Sequence, residues 1–272
     1  MSSTKPIGVF DSGIGGLTVV KRFTKSLPKE KIIYFGDTAR VPYGSKSNST
    51  VIEYSTENTN FLLSKKVKAI VVACNTASSV ALTELKRKFD VPVIGMIEPG
   101  AKMAINKTKN NRIGVIGTRS TISNQAYSKE IKKINPNVEV IEKACPLFVP
   151  LAEEGWTDHR ATVEIAQEYL QELSEFNIDT LVLGCTHYPI LSNVIQKVMG
   201  DNVTLIDSGV ASASVVKAEL EKNNLENESQ DKGLDEFYVS DIPTTFKSVA
   251  ELFLGRKITD VHKVDLETFL HT

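Results

Sequence analysis

KAIVVACNTAS (residues 68–78) and TLVLGCTHYP (residues 180–189) decide how this chain folds. In each, an apolar run without polar alternation ends on a cysteine and passes at once into small polar residues. Ile70, Val71 and Val72 in unbroken succession read as a strand covered on both faces, the pattern of a parallel sheet flanked by helices. The stretch 76–89 then places Ala77, Ala81 and Leu85 at helical spacing, and Pro189 fits the first helical position after the second cysteine.

The same alternation extends outward in both directions. IGVFD (7–11) breaks into Ser12, Gly13, Gly15 and Gly16 before a helical pattern over 17–26, while KIIYFGD (31–37) and VPVIGMI (91–97) read as further strands. Beyond Glu98 and Pro99 the programme repeats. RIGVIGT (112–118) echoes the first strand at an offset of 106 residues, from Val9 to Val115, and the cysteine motifs echo one another at 111, from Cys74 to Cys185. Offsets this similar point to an internal duplication: an α/β protein of two similar, pseudo-twofold-related domains, each with a largely parallel sheet flanked by helices. A length of 272 residues, about 1.8 times the roughly 150 of an ordinary domain, agrees with that. The expected division gives residues 1–97 with 210–272 to the first domain and 98–209 to the second. The polar stretch 221–236 is expected as a surface loop or mobile connection. FYVSD (237–241), a helix over 246–254 and VHKVDL (261–266) are expected to pack back on the first domain.

Composition excludes several classes. Lys plus Arg is 32 against 33 Asp plus Glu, so no basic field calls for nucleic acid. No apolar run approaches the roughly eighteen residues of a membrane span, and MSSTKPIGVF lacks the apolar core of a signal peptide. Three cysteines, none in a CxxC, argue against a disulfide framework and a structural zinc site, so a reducing, cytoplasmic setting is expected, with no metal.

Cysteines that end strands of an open α/β sheet stand where such sheets bind ligands. A helix starting there offers free N–H groups and a positive field, which suit a carboxylate and favour a thiolate. Two thiols facing one another across a cleft suggest two-sided chemistry: one removes a proton from a carbon, the other returns one on the opposite face, and the mirror-image product results. Ser12 and the amides of the glycine loop are expected to grip a small anionic substrate, and Asp11 to assist a thiol or hold an ammonium group. With Asp37 about twenty residues on, the loop imitates a dinucleotide fingerprint, but the third glycine of GxGxxG would fall at Thr18 and there is no GK[ST]. Pro42-Tyr43-Gly44 reads on spacing alone as a plain turn. Cys145 reads as a small buried filler, His159, His262 and His271 as structural, and Trp156 as packing at a surface loop.

VFDSGIGGLTV, YFGDTARVPYG, VVACNTAS, IGVIGT, CPLFVPLAEEG and LVLGCTHYP, in this order over nearly the whole chain, resemble the glutamate racemases of bacterial cell-wall synthesis. The resemblance implies two α/β domains with the active site between them, no cofactor, and L- and D-glutamate interconverted by two thiols to supply peptidoglycan synthesis. It implies Cys74 and Cys185 as the acid/base pair, each acting on one enantiomer, with His187 and Glu153 supporting the second thiol. Substrate contacts are implied for Asp11, Ser12, Tyr43, Gly44, Asn75, Thr76, Thr118, Thr186 and His187, and a homodimer is expected. An aspartate or other acidic amino-acid racemase, and a non-catalytic amino-acid-binding protein on the same scaffold, remain the alternatives.

Overall fold

The computed structural model describes residues 3–229 and 233–270, so His271 lies outside the described residues. The chain opens with β1 (Ile7–Asp11), α1 (Leu17–Ser26), β2 (Ile32–Gly36), α2 (Asn48–Ser64) and β3 (Ala69–Val72). It continues through α3 (Asn75–Val80), α4 (Leu82–Lys88), β4 (Val93–Ile94) and α5 (Ile97–Lys107). A second run follows: β5 (Arg112–Gly117), α6 (Arg119–Ser123), α7 (Ala126–Ile134), β6 (Glu139–Ala144), α8 (Phe148–Glu153) and α9 (Arg160–Glu175). It closes with β7 (Thr180–Gly184), a 3-10 turn (Tyr188–Leu191), α10 (Ser192–Met199) and β8 (Thr204–Asp207). The last elements are α11 (Ser208–Lys222), β9 (Glu236–Val239), α12 (Phe246–Leu254), β10 (Val261–Lys263) and α13 (Leu266–Leu270).

Two parallel sheets result. The first has the order β10-β9-β2-β1-β3-β4 and the second β6-β5-β7-β8. Without β9 and β10 the two orders coincide strand for strand, as a duplication requires. β1, β2, β3 and β7 are buried along their whole lengths, which is why their sequences show no polar alternation. Each chain run leaves its first strand for one neighbour and returns to the other side, so the order reverses between β1 and β3 and again between β5 and β7. Loops diverge at such a reversal and leave a crevice at the carboxyl ends of the strands. Asp11 and Cys74 flank the first crevice; Thr118 and Cys185 flank the second.

Four local readings change. Only Val93–Ile94 of the stretch 91–97 pairs as strand, and Ile97 already begins α5. The helix expected over 76–89 divides at Ala81 into α3 and α4. Pro189 falls inside a 3-10 turn capped by His187, and the α-helix starts only at Ser192. The polar stretch after α11 is anchored, not freely solvated, because Leu225 and Asn227 are buried; residues 230–232 of that stretch lie outside the described residues. Among the described residues no helix is long and apolar enough to cross a membrane.

The anchor is a buried ion pair. Lys68 Nζ lies 2.5 Å from Glu30 Oε2 and donates to the carbonyls of Ser3 and Leu225 at 2.6 Å each. Glu30 Oε1 accepts the Asn227 N–H at 2.8 Å. Burial pulls the Lys68 pKa down, while its bond to Glu30 opposes that shift. Removing one partner leaves the other charged and buried, so Lys68→Ala should cost about 3–5 kcal/mol in urea unfolding. The joint replacement Lys68→Met with Glu30→Gln should recover most of the loss. A single-variant loss below about 1 kcal/mol, the value of an exposed pair, would show that the anchor is not needed.

Candidate active site

Cys74 caps the N-terminus of α3. Its sulfur accepts from the Ala77 N–H at 3.5 Å and donates to Ser12 Oγ at 3.5 Å. The short helix does not make it a thiolate. Burial first, then the Asp11 charge, push the Cys74 thiol up to about 12, against the pull of the Ser12 and Ala77 bonds. The expected thiolate at a helix start is therefore corrected for Cys74: desolvation of an anion in a closed crevice outweighs one N–H donor.

Cys185 ends β7 and is followed by a 3-10 turn, so no α-helix dipole reaches it. His187 takes that place. Its Nδ1 lies 3.8 Å from Cys185 Sγ and its Nε2 lies 2.8 Å from Glu153 Oε1. Burial opposes the charged imidazole, yet the bonds to Cys185 and Glu153, with their charges, raise its pKa to about 10. An imidazolium donates from both nitrogens, toward the sulfur on one side and the carboxylate on the other. Phe253 of α12 meets the ring edge-on with centroids 5.3 Å apart.

Asp11 is fully buried beneath the two thiol turns. It accepts from the Gly13 N–H at 3.2 Å and from Thr186 Oγ1 at 3.4 Å. Burial raises its pKa, and the His187 charge and these donors counter the shift. The two sheets meet here through Thr18 Oγ1, which donates to the Thr186 carbonyl at 2.9 Å, and through Thr76 and Thr118, whose hydroxyls are 2.9 Å apart. Thr118 also caps α6 through the Thr121 N–H.

Ten of the sequence-identified residues line one cavity of about 30 Å³: Ser12, Tyr43, Gly44, Cys74, Asn75, Thr76, Thr118, Cys185, Thr186 and His187. Asp11 lies behind Thr186, and Glu153 behind His187. Val41, Pro42 and Val149 also line the cavity, and sequence reading did not single out their side chains. Tyr43 arrives with its hydroxyl already held: it donates to Asp37 and accepts from Asn58 Nδ2 at 3.0 Å. Asp37 also accepts from Arg40 Nε at 2.7 Å and Ser240 Oγ at 2.9 Å, so the residue that imitated a ribose-binding acid braces the Pro42-Tyr43-Gly44 turn. Gly44 is required by close approach, since a β-carbon there would lie 2.7 Å from Thr118 Cβ. The other residues behave as their sequence context indicates. Cys145 is buried, the Trp156 ring stacks on His159 at 4.2 Å, and His262 lies beside Tyr238 at 5.2 Å.

The model of the Asp/Glu/hydantoin racemase family matches residues 7–216. A glutamate racemase of Geobacter metallireducens is 52% identical over 263 residues, covering 97% of each chain. One of Chlorobaculum tepidum is 51% identical, covering 98% of each. The crystal structure of the Francisella tularensis glutamate racemase in complex with D-glutamate superposes with a TM-score of 0.91 at 42% identity, covering 98% of this chain and 99% of that one.

The charge on His187 sets a pH dependence. A base whose pKa rises on folding adds stability that is fully present below its unfolded value and lost as pH climbs through the folded one, here from 6.5 to about 10. The urea midpoint of the wild-type chain should therefore exceed that of His187→Asn most at about pH 6, with the gap closing toward pH 10. A gap independent of pH would mean that the imidazole titrates alike folded and unfolded, and a gap that widens as pH rises through 6.5 would mean that it is uncharged when folded.

Proposed function

The chain belongs to the Asp/Glu/hydantoin racemase family, and from that premise we propose that it interconverts L- and D-glutamate by proton transfer at Cα between Cys74 and Cys185. One observation carries the mechanism: cysteines at equivalent positions of two duplicated sheets line the same cavity. Before reaction one sulfur is thiolate and the other thiol. The thiolate takes the Cα proton, the thiol protonates the carbanion on the opposite face, and the two sulfurs exchange states. The reverse reaction uses the same steps from the other side, so no external acid or base is consumed.

The surroundings support unequal routes to the thiolate. At Cys185 the protonated His187 supplies a donor and a positive charge, held in place by Glu153. At Cys74 the ammonium of the substrate is the cation that offsets burial and the Asp11 charge, which acts from behind Thr186. The substrate carboxylates go to the hydroxyl and N–H donors of Ser12, Asn75, Thr76, Thr118 and Thr186, whose fixed dipoles also stabilise charge developing at Cα. A cavity of about 30 Å³ is solvent-sized, so admission of an amino acid requires the two sheets to part.

The domain division at residues 97 and 210 belongs to the same reading, supported by β9 and β10 pairing into the first sheet beside β2. Three free, buried cysteines suit a reducing cytoplasm. A homodimer is part of the proposal, supported by exposed Trp156 and Leu252 on a common surface at Gly155, and sedimentation velocity decides it.

In D₂O, L-glutamate should lose optical rotation as deuterium enters at Cα. Exchange of L-aspartate should be at least about tenfold slower, since one methylene of pocket fit is worth about 1–3 kcal/mol. No exchange with either substrate would sink the racemase reading, and exchange with aspartate alone would move it to aspartate. Cys74→Ala and Cys185→Ala should each lower kcat/KM by about 10³-fold or more. Full activity in either variant would disprove the two-thiol mechanism.

A further inference from the structure

Tyr127 lies on α7, away from every motif that carries the site, and is fully buried. Its ring fills the space left by Gly184, the residue immediately before Cys185: a β-carbon at Gly184 would stand 3.1 Å from Tyr127 Cε2. On its other edge, a β-carbon at Gly100 would lie 2.9 Å from Cε1. Its hydroxyl meanwhile donates to Oδ1 of Asn75, the residue immediately after Cys74, at 2.7 Å. One side chain thus touches both cysteine turns, one through its ring and the other through its hydroxyl.

The hydroxyl also decides what Asn75 offers to the cavity. With Oδ1 occupied by Tyr127 and Nδ2 donating to Ser208 Oγ at 3.3 Å, the amide is fixed in one of its two flips. The remaining hydrogen on Nδ2 is then its free donor, and it is the function an anionic substrate can use, since the second lone pair of Oδ1 offers a carboxylate nothing. Without Tyr127 the amide could turn its oxygen toward the cavity, where it would repel a carboxylate. Burial raises the Tyr127 pKa and keeps the hydroxyl protonated, hence able to donate.

We infer that Tyr127 is a positioning residue for the racemisation site: it fixes the Asn75 amide as a carboxylate donor and holds the two cysteine turns in register. This rests on the racemase reading for its substrate. Glutamate binding is therefore measured by calorimetry beside steady-state kinetics, so that the two claims fail separately.

Tyr127→Phe keeps the ring and removes the hydroxyl. It should raise Kd and KM for both enantiomers by roughly three- to tenfold, the range of one neutral hydrogen bond, with kcat within about twofold. In an Asn75→Ala background the same substitution should have no further effect, because its target is gone. Ser208→Ala, which removes the bond at the other end of the amide, should weaken binding similarly and be equally silent in that background. A Tyr127→Phe or Ser208→Ala variant that loses thermal stability with Kd unchanged has a packing role only and overturns the inference. So does an effect that persists beside Asn75→Ala. A wild-type chain that binds glutamate without racemising it sinks the racemase reading and leaves the calorimetric test of Tyr127 intact; a chain that binds neither enantiomer overturns both.

Discussion

A β-carbon at Gly15 would lie 2.4 Å from Thr186 Oγ1 and 2.5 Å from the ring of His187. The glycine loop after β1 and the turn after β7 therefore meet at a distance that no residue with a side chain permits. Everything at the site depends on that approach. It lets Thr18 reach the Thr186 carbonyl, places Asp11 beneath the turn of the opposite sheet, and closes the crevice at the carboxyl ends of both sheets into one cavity. Each sheet alone would present an open crevice to solvent. Pressed together, the two crevices narrow to about 30 Å³, and every charge between them acts at reduced screening.

Low screening explains why the two halves, though built from one strand order, differ electrically. In water two cysteines would ionise alike. Here Cys74 shares its pocket with the carboxylate of Asp11, whereas Cys185 shares its pocket with an imidazolium. Burial raises the Asp11 pKa, and the His187 charge opposes that shift across the junction between the sheets. Duplication supplied the geometry of two facing thiols. The residues beside the cysteines differ between the halves: Asn75 and Thr76 follow Cys74, whereas Thr186 and His187 follow Cys185.

The parts of this arrangement that were legible in the sequence are those encoded by contiguous residues. Buried parallel strands announce themselves as unbroken apolar runs, and the cysteines were found because they close such runs at a repeated offset. Short-range errors arose where tertiary contacts override local pattern. At 91–97 the apolar run continues past the two residues that pair, because Met96 and Ile97 are buried by helix packing instead. The thiolate expected at Cys74 followed from local helix chemistry, but Asp11, which raises the thiol, is 63 residues away in sequence. Tyr127 and Ser208 carry no local signature at all, and the one that Asp37 carries pointed to a dinucleotide site instead. Tyr127 and Ser208 matter through single bonds to Asn75, and Asp37 through bonds to Arg40, Tyr43 and Ser240; a lone Tyr, Asp or Ser in a polar context reads the same whether or not such partners exist.

The elements without a counterpart in the second sheet connect these features. β9 pairs with β2 and sends Ser240 onto Asp37, which holds the Tyr43 hydroxyl and so the turn that lines one wall of the cavity. α12 then crosses to the other wall and sets Phe253 against His187, the group that attends the opposite thiol. The tail thus touches the supports of both half-sites, one through a buried carboxylate and one through an aromatic edge, without lining the cavity itself. The duplicated elements already join the half-sites at Gly15 and Thr18; the added strands and helix tie the supports of the two walls a second time.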